Sequence, residues 1–243
     1  MRRIRVIGIG PGDPDQVTLE AVAAMRSVAY FVVAEKADDD PLLAARQALL
    51  ARHVPGAKVA AVRDPERDRA DPADYQGAVS NWHESRAEAY ERVILDQPGD
   101  VGFLVWGDPA FYDSTIRIVE RILARGNVEA EWDVIPGISS LQLLAARHRI
   151  VLHEIGQPIT VTTARKLGEA VDAGADNILV MLSARLELAG LEDWHIWWGA
   201  NLGTQHERLV AGRVGEVAAE IDAARAATKA DAGWVMDAYL LRS

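Results

Sequence analysis

A chain of 243 residues, 49% hydrophobic and 26% charged, has the composition of a soluble globular protein, long enough for one large domain or two modest ones. A formal net charge of -10 argues against a broad phosphate-binding face, so nucleic acid is not an expected partner. The absence of cysteine excludes disulfides, thiolate metal sites and cysteine nucleophiles, and it fits the cytoplasm. The basic start Met1–Arg5 runs too soon into Gly10-Pro11-Gly12-Asp13-Pro14 for a signal peptide, and no stretch approaches membrane-spanning length. A cytoplasmic protein without a membrane partner is expected.

In chain order, Ile4–Ile9 reads as a buried strand that ends in the glycine-rich turn Gly8–Pro14. Pro11 spoils the dinucleotide fingerprint there, so the turn by itself means only a strand held against a helix. Thr18 is placed to cap a helix over Leu19–Ser27, and Val28–Val33 is a second strand. Asp38-Asp39-Asp40-Pro41 signals a helix start, with helical apolar spacing over Leu42–Arg52. Lys58–Val62 is a short strand, Arg63–Asp74 a charged surface loop, and Tyr75–Leu95 a long helix that carries His83.

Phe103–Trp106 is a short apolar run, right for a buried strand, and Gly107-Asp108-Pro109 breaks it. After Asp113-Ser114-Thr115, the spacing of Ile116, Val119, Ile122 and Leu123 predicts a helix. Glu131–Ile135 is a strand, and Pro136–Ser140 turns it into a helix over Leu141–Arg147, with Ser139 and Ser140 as capping candidates. The pattern pauses at Ile155–Pro158, which predicts domains of residues 1–155 and 156–243. Beyond it, strands are expected at Ile159–Thr163, Asn177–Leu182, Trp194–Trp198, Arg208–Val210 and Trp234–Leu241. Helices are expected at Ala164–Ala173 and Val214–Ala226. The spacing of His148, His153, His195 and His206 matches no metal-ligand motif, so no metal is expected.

Three glycine and proline elbows, GIGPGDP, WGDPAFYDST and IPGISS, each follow a buried strand. Each is weak alone, but the ordered set resembles the tetrapyrrole methylase superfamily over the whole chain. Asn201–Arg208 is similar to the G-T-x-x-E-R segment of that family's second domain. Tyr112-Asp113-Ser114-Thr115, Trp106 and the approach to Trp82-His83 resemble its deacetylating branch in aerobic cobalamin biosynthesis. The resemblance implies an α/β fold of two domains, with a mixed sheet in each and the active site in the cleft between them. It also implies a homodimer and S-adenosyl-L-methionine as cofactor. The implied reaction methylates precorrin-5, a tetrapyrrole polycarboxylate, at carbon 1 and releases acetate to give precorrin-6A.

Carried over by position, the resemblance implies donor contacts at Pro11, Gly107, Asp108, Pro109, Tyr112, Ser139 and Ser140. Further donor contacts fall at Met181 or Leu182, at Ala200, and at Trp234 to Met236. Deacetylation calls for a base and an oxyanion donor, for which residue chemistry offers Asp113 or His83 and Tyr112. Arg63, Arg67, Arg117 and Arg147 are candidates for the substrate carboxylates. Two other readings stand beside this one: another methylase of the superfamily, its ribosomal-RNA branch included, and a non-enzymatic tetrapyrrole-binding module.

Overall fold

Strands and helices alternate strictly through the first half of the chain, and that alternation fixes the first sheet. The computed structural model describes residues 1–35, 41–65, 75–183 and 185–243. Its first elements are β1 (Arg2–Gly8), α1 (Leu19–Ser27), β2 (Tyr30–Glu35), α2 (Pro41–His53) and β3 (Val59–Arg63). They continue with α3 (Tyr75–Asp96), β4 (Val101–Val105), α4 (Thr115–Ala124) and β5 (Ala130–Ile135). A helix after each strand returns the chain to the same end of the sheet, so the next strand runs parallel. The order is β3-β2-β4-β1-β5, parallel at every pairing. The expectation of a mixed sheet in each domain is thereby corrected for the first: every connection is a crossover and none a hairpin.

Central position explains the apolar run of β4, which lies between β2 and β1 with all its residues buried. Trp106, expected to end that strand, lies just past it in the bend. Of the residues whose spacing predicted α4, Val119 and Ile122 are buried, and Ile118 is buried beside them. On α3 the buried stripe is His83, Ala87, Tyr90 and Ile94, again at helical spacing. The helix-start signal Asp38–Asp40 and the loop residues 66–74 lie outside the described residues.

The second sheet contains β6 (Thr160–Thr163), β7 (Asn177–Met181), β8 (His195–Ala200), β9 (Arg208–Arg213) and β10 (Asp237–Arg242). Its helices are α5 (Ser140–His148), α6 (Leu167–Asp172) and α7 (Val214–Ala232). The order is β6-β7-β10-β8-β9, with only β6 and β7 parallel. This sheet is mixed, as expected. Where one helix was predicted over Ala164–Ala173, a 3-10 turn, Ala164–Lys166, precedes α6. The last strand begins at Asp237 instead of Trp234.

By contact the chain divides into Met1–Gly10 with Pro14–Ile138, and Pro11–Asp13 with Ser139–Ser243. Helix α5, placed in the first domain by the sequence, packs on the second sheet instead. Leu141, Leu143 and Leu144 are buried there with Leu179, Leu202 and Leu240. The pause at Ile155–Pro158 is a surface turn inside the second unit: Ile155 is exposed and Gly156 has a left-handed φ. Turn chemistry marks where a chain bends, and a bend need not divide two cores.

Candidate functional site

In the first unit, β4, β1 and β5 are adjacent and parallel, so their carboxyl ends open on one edge. The chain leaves β1 toward the β2 side and leaves β4 toward the β5 side. Such a reversal leaves a crevice at the strand ends, where ligands of open α/β sheets sit.

The elbows at this edge are bonded backbone to backbone. Ile9 N donates to Val105 O (2.9 Å), Gly107 N to Gly10 O (2.8 Å), and Gly10 N to Gly107 O (3.2 Å). Gly107 takes a φ of 69° to make that bridge, a conformation natural to glycine. A Cβ on Gly137 would fall 2.2 Å from Gly107 O, so the third elbow also presses its backbone against the second. Asp108 joins the two, accepting from Gly137 N through Oδ2 (2.9 Å) and from Ala110 N through Oδ1 (2.8 Å). Its carboxylate therefore shapes the turn. Pro109 is buried beneath it.

Past this turn, Phe111 and Tyr112 are exposed, at 38% and 45%, and Tyr112 has a φ of 52°. Partial burial pushes the Tyr112 phenol pKa up. Asp113 Oδ1 accepts from Thr115 N (2.6 Å), so the carboxylate caps α4. Ser114 holds the N-cap position but makes no side-chain cap bond; its hydroxyl accepts from Arg86 Nη1 (3.4 Å). His83 sits in a different setting, on the buried stripe of α3 with its ring 5.3 Å from that of Trp82.

In the second unit, Ser139 is buried and forms a capping box with Gln142, so its hydroxyl caps α5. Ser140 is the first residue of that helix, and Pro11 is buried and grouped with this unit. Because β7 and β8 both run antiparallel to β10, their carboxyl ends share an edge with its amino end. Met181, Leu182, Ala200, Trp234 and Met236 are thereby gathered at one edge of one sheet.

Sequence reasoning missed the residue that organises this edge. Asn201, buried with a φ of 46°, donates through Nδ2 to Trp234 O (3.2 Å) and accepts from Met236 N through Oδ1 (2.8 Å). Its own N–H donates to Met236 O (2.8 Å). The available signal was an asparagine directly after an apolar strand and two residues before a glycine, since asparagine tolerates the left-handed region. Leu182, a candidate donor contact, is 59% exposed and has a φ of 59°, a conformation that no sequence rule marks in a leucine.

Among the arginine candidates, Arg147 pairs with Glu207 (2.7 Å), whose other oxygen accepts from Gly203 N (2.7 Å). Arg117 is exposed and reaches Asp113 O (3.4 Å), Arg63 is exposed at the end of β3, and Arg67 lies outside the described residues. A cavity of about 480 Å³ in the second unit is lined by Ser183, Arg225, Lys229 and Trp234, among others. Arg225 is held there by Asp237 Oδ2 (2.9 Å) and Ser183 O (2.6 Å). Burial raises the Asp237 carboxyl pKa against the pull of that guanidinium. Among the described residues, no group of three or more His, Cys, Asp or Glu could hold a metal ion, and no helix is long and apolar enough to cross a membrane.

The family model of Tetrapyrrole (Corrin/Porphyrin) Methylases matches residues 3–218. The chain is 42% identical to the precorrin-6A synthase [deacetylating] of a Sinorhizobium species, across 100% of this chain and 95% of that protein. The crystal structure of a cobalamin-synthesis-related protein, CobF, from Corynebacterium diphtheriae superposes with a TM-score of 0.85 at 38% identity, covering 100% of this chain and 98% of that one. Uroporphyrin-III C-methyltransferase from Thermus thermophilus, solved with S-adenyl homocysteine, shares the fold at a TM-score of 0.60 and 20% identity, covering 99% of this chain and 97% of that one. With the family model matched over most of its length, and a relative this similar from end to end, the chain belongs to the tetrapyrrole (corrin/porphyrin) methylases.

Proposed function

We propose that the chain is an S-adenosylmethionine-dependent methyltransferase of cobalamin biosynthesis that converts precorrin-5 to precorrin-6A, methylating carbon 1 and releasing acetate. The observation that carries this reading is the end-to-end identity of 42% with a precorrin-6A synthase [deacetylating]. A cytoplasmic homodimer acting on a tetrapyrrole polycarboxylate, without nucleic acid or membrane, completes the proposal.

The residues present suit a sulfonium donor. Gly107–Tyr112 holds one carboxylate, Asp108, and no cation, and it exposes two aromatic rings, Phe111 and Tyr112, whose faces favour a positive charge. When bound, S-adenosylmethionine supplies an electrophilic methyl group. The proposed contacts are Gly107, Asp108, Pro109 and Tyr112, with Pro11, Ser139, Ser140, Met181, Leu182, Ala200, Trp234 and Met236. Gly107 can contribute close backbone approach, and Asp108 contributes by fixing the turn, its oxygens being engaged with Ala110 and Gly137. The macrocycle carbon is itself the nucleophile, so the chain need not provide one.

Acetate release asks more of the side chains. Water adds to the acetyl carbonyl carbon, the bond from that carbon to the macrocycle breaks with its electron pair left on the ring, and acetate departs. Asp113 is the proposed base for the water proton, and the Tyr112 phenol the donor to the oxyanion. His83 is the alternative base. The test is mass analysis of the product formed from precorrin-5 and isotopically labelled donor, with acetate measured in parallel. A product that gains one labelled methyl and loses its acetyl group is expected. Donor turnover without acetate would assign the chain to another methylase of the family.

A further inference from the structure

Arg86 is an unusual side chain to find where it is. It projects from α3 with its own side chain and that of its partner Asp64 only 11% and 10% exposed, and the two meet at 2.5 Å. The guanidinium carbon lies 4.4 Å from the centre of the Trp82 ring, and the Trp82 indole N–H donates to Pro65 O (3.0 Å). A second nitrogen of the guanidinium, Nη1, reaches Ser114 Oγ at 3.4 Å. One planar group therefore ties together the residue that follows β3, the third helix, and the residue that opens α4.

Stability alone is a poor reason for this arrangement. A buried ion pair costs several kcal/mol of desolvation per ion, and well-packed apolar replacements are often neutral or better. What a guanidinium offers in addition is a rigid fork that holds two acceptors at fixed angles while it stacks on an aromatic face. Ser114 shows the effect. At the N-cap position its hydroxyl would ordinarily cap the helix, yet it makes no cap bond, and Asp113 caps in its place. The Tyr90 phenol, pushed up to about 12 by burial, also senses Arg86, Asp64, Arg46 and Asp113, so Asp113 lies in the same electrostatic neighbourhood.

We propose that Arg86 is a positioning residue for the deacetylating half of the reaction: gripped by Asp64 and Trp82, it anchors Ser114 and so fixes the exposed Tyr112-Asp113 pair beside it. The proposal rests on the functional reading above as far as acetate is concerned. Its structural half, the hold on residues 111–116, does not depend on that reading. Lysine at position 86 keeps the charge on Asp64 but cannot pair there, stack and reach Ser114 together.

The experiment compares wild type, Arg86→Lys, Ser114→Ala and the double variant in two measurements: amide hydrogen exchange over residues 111–116, and steady-state acetate release from precorrin-5. In Arg86→Lys, exchange in that segment should quicken by about tenfold while the core strands keep their protection. The kcat for acetate release should fall by about tenfold or more, with KM for precorrin-5 within about twofold. Ser114→Ala should move both readouts the same way but less, and the double variant should be no worse than Arg86→Lys. Unchanged exchange over 111–116 in a folded Arg86→Lys protein overturns the proposal. So does a lowered melting temperature with wild-type kcat, which would leave Arg86 a purely structural residue. A wild-type enzyme that methylates without releasing acetate would instead overturn the functional reading, and the exchange measurement would still decide what Arg86 holds.

Discussion

Two sheet edges carry the proposed donor contacts, and they are built by opposite means. At the first, three elbows meet backbone to backbone: Gly10 and Gly107 exchange hydrogen bonds, and Gly137 lies so close to Gly107 that no side chain fits. At the second, a side chain adds to the backbone: Asn201 binds Trp234 and Met236 through its amide, beside the bond from its own N–H to Met236 O. Backbone contact gives a fixed shape but admits no added atom. A side-chain bridge tolerates local change and fails when one residue is lost. Substitutions should therefore hurt the first edge by addition and the second by removal.

The largest effect should come from adding a single carbon at the first edge. In Gly137→Ala the new Cβ would meet Gly107 O at 2.2 Å, and neither partner is a flexible side-chain end that could give way. Overpacking of this kind costs up to about 3 kcal/mol, occasionally more. For a chain of this size that is a fall of roughly 6–12 °C in melting temperature, and donor binding should be lost with it. Gly168→Ala is the matched control, because an added Cβ there meets nothing within 4 Å. A Gly137→Ala protein that melts with the wild type would mean the elbows are not in backbone contact.

Removal at the second edge should cost less. Asn201→Ala loses both amide bonds and must also hold a left-handed φ without the local hydrogen bonding that favours asparagine there, together about 1–3 kcal/mol. Asn201→Gly separates the two contributions, since glycine adopts that φ freely but restores neither bond. If Asn201→Gly is as stable as wild type, the conformation matters and the bridge does not. Comparable losses in both variants would identify the bridge as the cause.

The same contrast explains what the sequence could reveal. The first edge was legible because backbone contact demands glycine and proline at set places, and GIGPGDP, WGDPAFYDST and IPGISS display them in order. Asn201 was passed over because one asparagine in a turn is ordinary, and the partners it joins lie 33 and 35 residues away. The membership of α5 was misjudged for a related reason: its leucines mark a buried face without naming the sheet that buries it. Arg86 was invisible too, as a charged residue on a long helix normally faces solvent. Which arginine is buried depends on tertiary packing.

A change of pH should then distinguish the units more gently. His148 and His195, both in the second unit, have lowered pKa values, and burial is the first cause in each. A lowered folded pKa means the neutral ring is preferred in the native state. The stability this contributes is present above the unfolded value of about 6.5 and is lost as pH falls through the folded value. Asp237 acts in the opposite sense: its raised carboxyl pKa means that the folded state takes up a proton more readily than the unfolded one. Between pH 7.5 and 5.5, amides of β8 should therefore lose protection relative to those of β4, after correction for intrinsic exchange. His148→Gln should reduce the difference, because it removes one titrating ring. Equal loss in both sheets would place the acid sensitivity elsewhere.

The smallest effect on the fold, and the most telling for chemistry, is expected from Asp113→Asn. The carboxylate caps α4 through Oδ1, at 2.6 Å from Thr115 N, and an asparagine oxygen can accept that same bond. Asparagine and aspartate are about equally good caps, so stability should change by no more than about 0.5 kcal/mol. Donor affinity should also hold, because the Gly107-Asp108-Pro109 turn is secured by Asp108 and by backbone bonds that do not involve Asp113. What the amide cannot do is accept a proton from water. If Asp113 is the base, acetate release should slow by about 100-fold or more, the usual contribution of a positioned acid or base. Capping alone predicts none of this, since the cap survives the substitution. Acetate released at the wild-type rate by a stable Asp113→Asn protein would leave the residue a helix cap. The search for the base would then turn to His83, on the buried stripe of α3.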